Sequence, residues 1–227
     1  MTDIADEARR EHQLGSVIVL GVASTLLAFV ARKVKHKETA EADHAVRADM
    51  KDAKSPLIDA AVKPITVLSL PPVVVAATVA LAWRLHRDGR TSAAIATLSA
   101  PVAGAIAGQT FTMLFPQPNP PGGENTPPEK KEATFPSGHT TGVTAEALSV
   151  AYVLSREGLI NAPVVAALMG WPLIVGVSRI YRDRHWTSDV VAGWIAGTAV
   201  ASASALLYET LSGGRSKGGA DPSLRSG

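Results

Sequence analysis

Residues 14–31 read L-G-S-V-I-V-L-G-V-A-S-T-L-L-A-F-V-A, an unbroken run with no charged side chain. As a helix rising about 1.5 Å per residue, the run spans roughly 27 Å, close to the thickness of bilayer hydrocarbon. Composition alone, 46% hydrophobic with a formal net charge of +2, fits many kinds of protein. The distribution decides, because the apolar residues fall into long runs of small and aliphatic side chains parted by short charged pieces. That pattern predicts an all-α, polytopic membrane helical bundle. The first run ends in Ala31-Arg32-Lys33 without a small-x-small cleavage pattern, so it is taken as a retained span and not as a secretory signal.

Working outward, residues 1–13 form a polar head of mixed charge, mobile or interfacial, and residues 212–227 a Gly-, Ser- and Lys/Arg-rich tail of disordered composition. The membrane domain between them covers residues 14–211. Residues 32–63 are polar, with basic residues at Arg32, Lys33, Lys35 and Lys37; they suit a helix lying along the membrane surface or a solvated linker. Further spans are expected at residues 65–85, 92–115, 136–154, 162–177 and 190–211, about six with the first. Pro71 and Pro72 predict a kink, or a helix that starts only there. Gly104-x-x-x-Gly108 and Gly193-x-x-x-Gly197 are candidates for close helix packing.

Two loops carry the chemistry. Residues 178–189 read S-R-I-Y-R-D-R-H-W-T-S-D. If the segment after Arg184 is helical, His185 and Asp189 share a face at i and i+4, where the carboxylate can hold the imidazole in one tautomer. An imidazole so oriented is a candidate nucleophile or base, and Arg179 is a planar cation able to clamp a phosphoryl group. The other loop is proline-rich, residues 116–131, and leads into Phe135-Pro136-Ser137-Gly138-His139 at a helix start. Ser137 can cap that helix, Gly138 lets a ligand approach the backbone, and the first-turn N–H groups favour a phosphate. Counting crossings puts both loops on one side. Glu146, one helical face along from His139, suits a hydrogen-bonded strut, and Trp171, Trp186 and Trp194 suit interface anchors or packing residues.

The chain has no cysteine, which excludes disulfides, thiolate catalysis and cysteine metal sites. Its near-neutral charge and lack of any base-reading pattern argue against nucleic acid as a partner.

With these residues the chain resembles the type 2 phosphatidic acid phosphatase superfamily. Pro136, Ser137, Gly138 and His139 stand as its second motif, P-S-G-H; Ser178, Arg179, His185 and Asp189 stand as its third, S-R-x5-H-x3-D. The resemblance implies a phosphatase of lipid phosphates that uses no metal and no cofactor. It implies that His185 is the nucleophile that becomes phosphorylated, that Asp189 orients it, and that His139 protonates the leaving group. Arg179, Ser178 and the Ser137-Gly138 helix start would bind the phosphate. The partners are a lipid phosphate substrate and membrane lipids, and nothing in the sequence assigns an oligomeric state. The alternatives are a non-hydrolytic lipid-phosphate-binding relative and a phosphotransferase using the same site.

The first motif, K-x6-R-P in the family, departs. One frame puts Thr110 in the lysine slot and Gln117-Pro118 in the Arg-Pro slot; the frame starting at Gln109 fits no better. Arg182, Arg184, Lys130 and Lys131 are the nearest cations able to replace the lost clamp, with Gln117 giving at most a neutral hydrogen bond. Placing the catalytic loops outside the cell leaves Arg9, Arg10, Arg84, Arg87 and Arg90 inside, as the positive-inside rule prefers, although the Arg32–Lys37 cluster then lies outside. The expected location is the cell membrane.

Overall fold

The computed structural model describes residues 2–121 and 135–218. Among them are eight helices: α1 (Thr2–Lys35), α2 (Ala40–Asp52), α3 (Pro56–Leu68), α4 (Pro71–Arg87), α5 (Thr91–Leu114), α6 (Gly138–Arg156), α7 (Ala162–Tyr181) and α8 (Thr187–Gly218).

Helix α1 begins well before the apolar run, so the polar head continues the first span as helix. Nothing in the head breaks it: there is no proline, Asp6 pairs with Arg9 at 2.9 Å one turn on, and Arg9 rests against Gly213 of α8. At the other terminus α8 passes residue 211 and remains helical to Gly218; residues 219–227 lie outside the described residues.

The polar segment 32–63 is helical, forming α2 and the first half of α3. Helices α3 and α4 form one pair bent by 49°. The break falls at Ser69 and Leu70, where Leu70 is extended because the proline that follows disfavours the helical conformation. Pro71, with no N–H to leave unpaired, then starts α4.

The expected six apolar spans resolve into four helices long and apolar enough to cross a membrane (within α1, α5, α7 and α8), a fifth crossing if the bent pair is one span, and α6. Helix α6 is less apolar because protein surrounds it: it packs on α4, α5, α7 and α8, and Thr140, Thr141, Thr144, Glu146 and Ser149 are all buried. Polar groups are tolerated at this depth where neighbouring helices cover them. Glu146 lies beside Thr78 of α4, whose hydroxyl donates to the Val74 carbonyl at 2.8 Å.

The interior is made of small residues and the exterior of large ones. Ala93, Ala96, Ala100, Ala145, Ala192 and Ala196 are buried, whereas Val17, Ile18, Phe29, Val102, Ile106, Leu173 and Ile174 are exposed. With no water to hide from, helices in lipid gain from close backbone approach. The tightest approach is α8 on α6. A Cβ added at Gly193 would stand 2.8 Å from the Thr140 Cβ, and one at Gly197 would stand 2.4 Å from the Thr144 Cβ and 2.7 Å from the Thr141 carbonyl oxygen. The other glycine pair does not act this way. Gly104 is in ordinary contact with Ala145, and a Cβ at Gly108 would meet nothing within 4 Å.

At the end of the bundle where α6 and α8 finish, Glu209 accepts from Tyr152 and Arg156, and Glu157 accepts from Tyr208 and Arg90. This lock holds the two helices together far from their opposite ends, which carry the motif residues.

Candidate active site

Helices α6 and α8 start side by side. Ser137, fully buried, is the N-cap of α6 and accepts from the Thr140 amide and, at 2.9 Å, from the Thr140 hydroxyl. Its own amide donates to the Asp189 carbonyl at 3.0 Å. The second-motif helix start is therefore bonded directly to the third motif.

Helix α8 starts at Thr187, later than the i,i+4 reading of His185 and Asp189 requires, so His185 stands in the turn before it. The pair still meets. Trp186 is the N-cap residue, its carbonyl accepting from Val190, and Asp189, three residues on, reaches back to accept the Trp186 amide through Oδ2 at 3.0 Å. That bond turns the same oxygen toward His185 Nδ1, 3.5 Å away. Asp189 is fully buried and His185 is 14% exposed.

Arg179, on the last turn of α7, is 1% exposed. Its Nη2 donates to the Ser69 hydroxyl at 2.8 Å, whereas Nε and Nη1 have no partner among the described residues. His139 lies within electrostatic reach of Arg179, His185 and Arg184. The fold thus gathers His139, Arg179, His185 and Asp189, with Gly138 exposed at the mouth of the helix start. Ser178 differs from the expectation: its hydroxyl donates to the Val175 carbonyl at 2.6 Å inside α7 and presents no proton to the site.

The candidate replacement cations separate. Arg184 is half-buried, its Nε has no partner among the described residues, and Arg179 feels its charge and, less strongly, that of Arg182. Arg182 turns to α3, where Nη1 donates to Thr66. Gln117 lines a second cavity with Lys35, Lys37 and Trp186. Lys130 and Lys131 lie outside the described residues.

A cavity of about 360 Å³ opens beside His139 between α4, α5 and α6. Its walls are Val74, Val75, Ala105, Gly108 and Val143, and Ser69, Gln109, Gly138 and His139 also line it. Gly108 thus leaves room for an apolar groove.

Sequence reading missed Ser69, which holds Arg179 from the α3–α4 break, and the α2 residues that grip the turn bearing His185. Asp43 accepts from the Ser188 amide and hydroxyl, Arg47 from α2 forks onto Asp183, and His44 packs edge-on against Trp186. The spacing of Asp43 and Arg47 on one face of a surface helix was the only signal.

The family model of the PAP2 superfamily matches residues 89–212, more than half of the chain, and the match encloses both motifs. This chain belongs to the PAP2 superfamily. A curated relative, an undecaprenyl-diphosphatase of Sulfolobus acidocaldarius, is 28% identical over 85 residues, which is 37% of this chain and 37% of that protein. The alignment therefore spans little more than a third of the relative's length. Two solved structures share the fold. A transmembrane PAP2-type phosphatidylglycerolphosphate phosphatase from Bacillus subtilis superimposes with a TM-score of 0.70 at 17% identity, covering 89% of this chain and 98% of the other. LpxE of Aquifex aeolicus gives 0.55 at 23% identity, covering 71% and 92%. The protein is an integral membrane member of the PAP2 superfamily.

Proposed function

We propose that this protein hydrolyses a lipid phosphate or pyrophosphate, of the polyprenyl-carrier, phosphatidate or phosphatidylglycerophosphate class, through a phosphohistidine. The observation that carries the reading is the Arg179 guanidinium, buried beside two histidines with two donor nitrogens that have no partner among the described residues. A buried cation with open donors is costly unless an anion completes it. A phosphoryl group supplies both the charge and the acceptors.

In the proposed reaction neutral His185 attacks phosphorus through Nε2, because Nδ1 faces Asp189. As the N–P bond forms, the bond from phosphorus to the leaving oxygen breaks, and His139 gives that oxygen its proton. Water then attacks the phosphohistidine and passes a proton to His139, releasing phosphate and restoring neutral His185. Arg179, Arg184 and the first-turn N–H groups of α6 hold the equatorial oxygens.

The side of the site on which His139 stands is the side on which the leaving group departs, and the apolar cavity adjoins His139. This supports a leaving group that carries the lipid tail. The names of the two phosphatase relatives support the same substrate class. We place the catalytic loops on the extracytoplasmic side of the cell membrane.

A second reading, lipid-phosphate binding without hydrolysis, draws on one fact: there is no lysine or arginine from residue 91 to residue 129, where the first motif stands. The test is phosphate release from a panel of lipid phosphates by detergent-purified protein, with and without an acceptor alcohol. Release into water with transient acid-labile phosphate on His185 is the expected result. Binding without release favours the second reading, and transfer to the alcohol in preference to water marks a phosphotransferase.

A further inference from the structure

His185 stands in the short turn, residues 182–186, between two rigid helices. The first half of that turn is fixed to α7, through Arg182 N to the Ser178 carbonyl, Asp183 N to Ile180 and Arg184 N to Arg179. The second half, where the imidazole hangs, is held from elsewhere. One face of α2 touches the chain on both sides of His185.

On the side before it, Arg47 forks onto Asp183, with Nε to Oδ1 at 2.6 Å and Nη2 to Oδ2 at 2.8 Å. Both side chains are largely buried, at 15% and 8% exposure, which separates this pair from an ordinary surface ion pair. Asp183 occupies the left-handed region, φ 55°, uncommon for a residue with a side chain, and the fork secures it there. On the side after His185, the buried Asp43 carboxylate accepts from the Ser188 amide at 2.8 Å and the Ser188 hydroxyl at 2.7 Å. Directly beside His185, Trp186 packs against His44 and under the Arg47 guanidinium. Arg47 also donates to the Pro121 carbonyl, and Trp186 to the Pro118 carbonyl, so the same contacts hold residues 118–121.

We propose that Asp43 and Arg47 of α2 are positioning residues that hold the His185 imidazole in line for attack, a proposal that rests on the phosphatase reading above. In-line displacement tolerates little misplacement, and an error of about 1 Å costs on the order of a hundredfold in rate. Neither residue touches the phosphate. Each acts by fixing the backbone that carries the nucleophile.

The experiment measures kcat and KM on a short-chain lipid phosphate, together with inhibition by vanadate, a mimic of the five-coordinate state, and by inorganic phosphate. The variants are Arg47→Ala, Arg47→Lys, Asp43→Ala, Asp43→Asn, Asp183→Ala and the double variant Arg47→Ala/Asp183→Ala. Arg47→Ala and Asp43→Ala lower kcat by about tenfold or more with KM within about twofold, and vanadate inhibition weakens by a similar factor while phosphate inhibition holds. Asp43→Asn recovers most of the loss, since its amide oxygen still accepts the Ser188 N–H. Arg47→Lys, which cannot fork, recovers little. The double variant is no slower than the worse single one, because the pair acts as a unit. A loss that appears only as less folded protein, with kcat per vanadate-binding site unchanged, overturns the proposal; the two conservative variants keep that outcome readable if an alanine variant does not fold. Active wild type with all variants within twofold overturns the proposal alone. Wild type that neither turns over a lipid phosphate nor binds vanadate overturns the phosphatase reading and this proposal with it.

Discussion

The amide of Ser137 donates to the carbonyl of Asp189 across 3.0 Å, joining the two motifs by a backbone bond in which neither side chain takes part. The helix start that carries His139 is thereby fixed against the residue that faces His185. Side-chain changes at the two histidines should consequently alter chemistry more than fold.

That supports a prediction about the histidines. His185→Ala should abolish turnover on every substrate and remove acid-labile phosphate from the protein, while its melting temperature in detergent stays close to wild type. In the first turnover His139→Ala should cripple release of an alkyl leaving group but spare much of the release of an aryl one, whose oxygen departs without a proton; hydrolysis of the phosphohistidine, in which His139 is the base, should slow for both. Equal first-turnover losses on both substrates would remove His139 from the acid role. Asp189→Asn should also be impaired, because an amide can favour the wrong imidazole tautomer.

The α6–α8 spacing gives a second prediction. A methyl at Gly197 meets the Thr141 carbonyl oxygen at 2.7 Å and the Thr144 Cβ at 2.4 Å, so the helices must part. Gly197→Ala should destabilise by about 1–3 kcal/mol, the usual range for overpacking. It should also lower activity, by drawing the start of α6 away from α8. Gly108→Ala, with open space around the new methyl, should be neutral or stabilise by up to about 1 kcal/mol through helix propensity. Thermal unfolding of both variants in one detergent checks the contrast, and equal effects would sink it.

Much of this site was legible because its chemistry is local. His185 and Asp189 lie four residues apart, and Ser137 precedes its helix in a recognisable cap pattern, so spacing alone brought each pair into view. The rest depends on partners far along the chain. Arg47 meets Asp183 across 136 residues, Asp43 meets Ser188 across 145, and Ser69 meets Arg179 across 110. A charged residue on a polar helix carries no mark of which distant carboxylate it will find. Helix α6 shows the same limit in another form: its threonines and Glu146 weaken the hydropathy of a segment that the bundle encloses.

Acid should release α2 from the catalytic turn. Burial pushes the Asp183 carboxyl up, but the Arg47 hydrogen bond and charge, with Lys51 and Lys54, outweigh it and hold the group below its ordinary value. For a carboxylate depressed in the folded state, the stabilisation is present above the unfolded value of about 3.9 and is lost as pH falls through the lower folded value. The clasp should therefore persist to below about pH 4. In Arg47→Ala the fork is already absent and only burial and the lysines act on Asp183, so its carboxyl, and the turn it anchors, should titrate at higher pH. Tryptophan fluorescence reports it, since Trp186 packs between His44 and Arg47, and Trp186→Phe identifies the signal. Superimposable acid profiles for wild type and Arg47→Ala would contradict this account.

The last prediction concerns the missing first-motif cations. A phosphate with two or more negative charges needs more than Arg179, and the geometry ranks the substitutes. Helix α8 starts at Thr187, so Arg184 and His185 both lie in the turn, free of the divergence that a helix imposes on adjacent side chains. Arg184 Nε has no partner among the described residues, and although Arg182 and Arg184 both act on Arg179, it is Arg184 whose charge also reaches His139. Arg182 donates instead to Thr66 on α3. Arg184→Gln should cost roughly 3 kcal/mol of transition-state stabilisation, a hundredfold in kcat/KM, whereas Arg182→Gln should cost about 1 kcal/mol or less. If Arg184 acts only in the transition state, most of its loss should fall in kcat. The pair of substitutions is measured on one lipid phosphate under identical detergent conditions. A larger loss from Arg182→Gln would reverse the ranking, and losses under tenfold from both would show that neither arginine replaces the clamp.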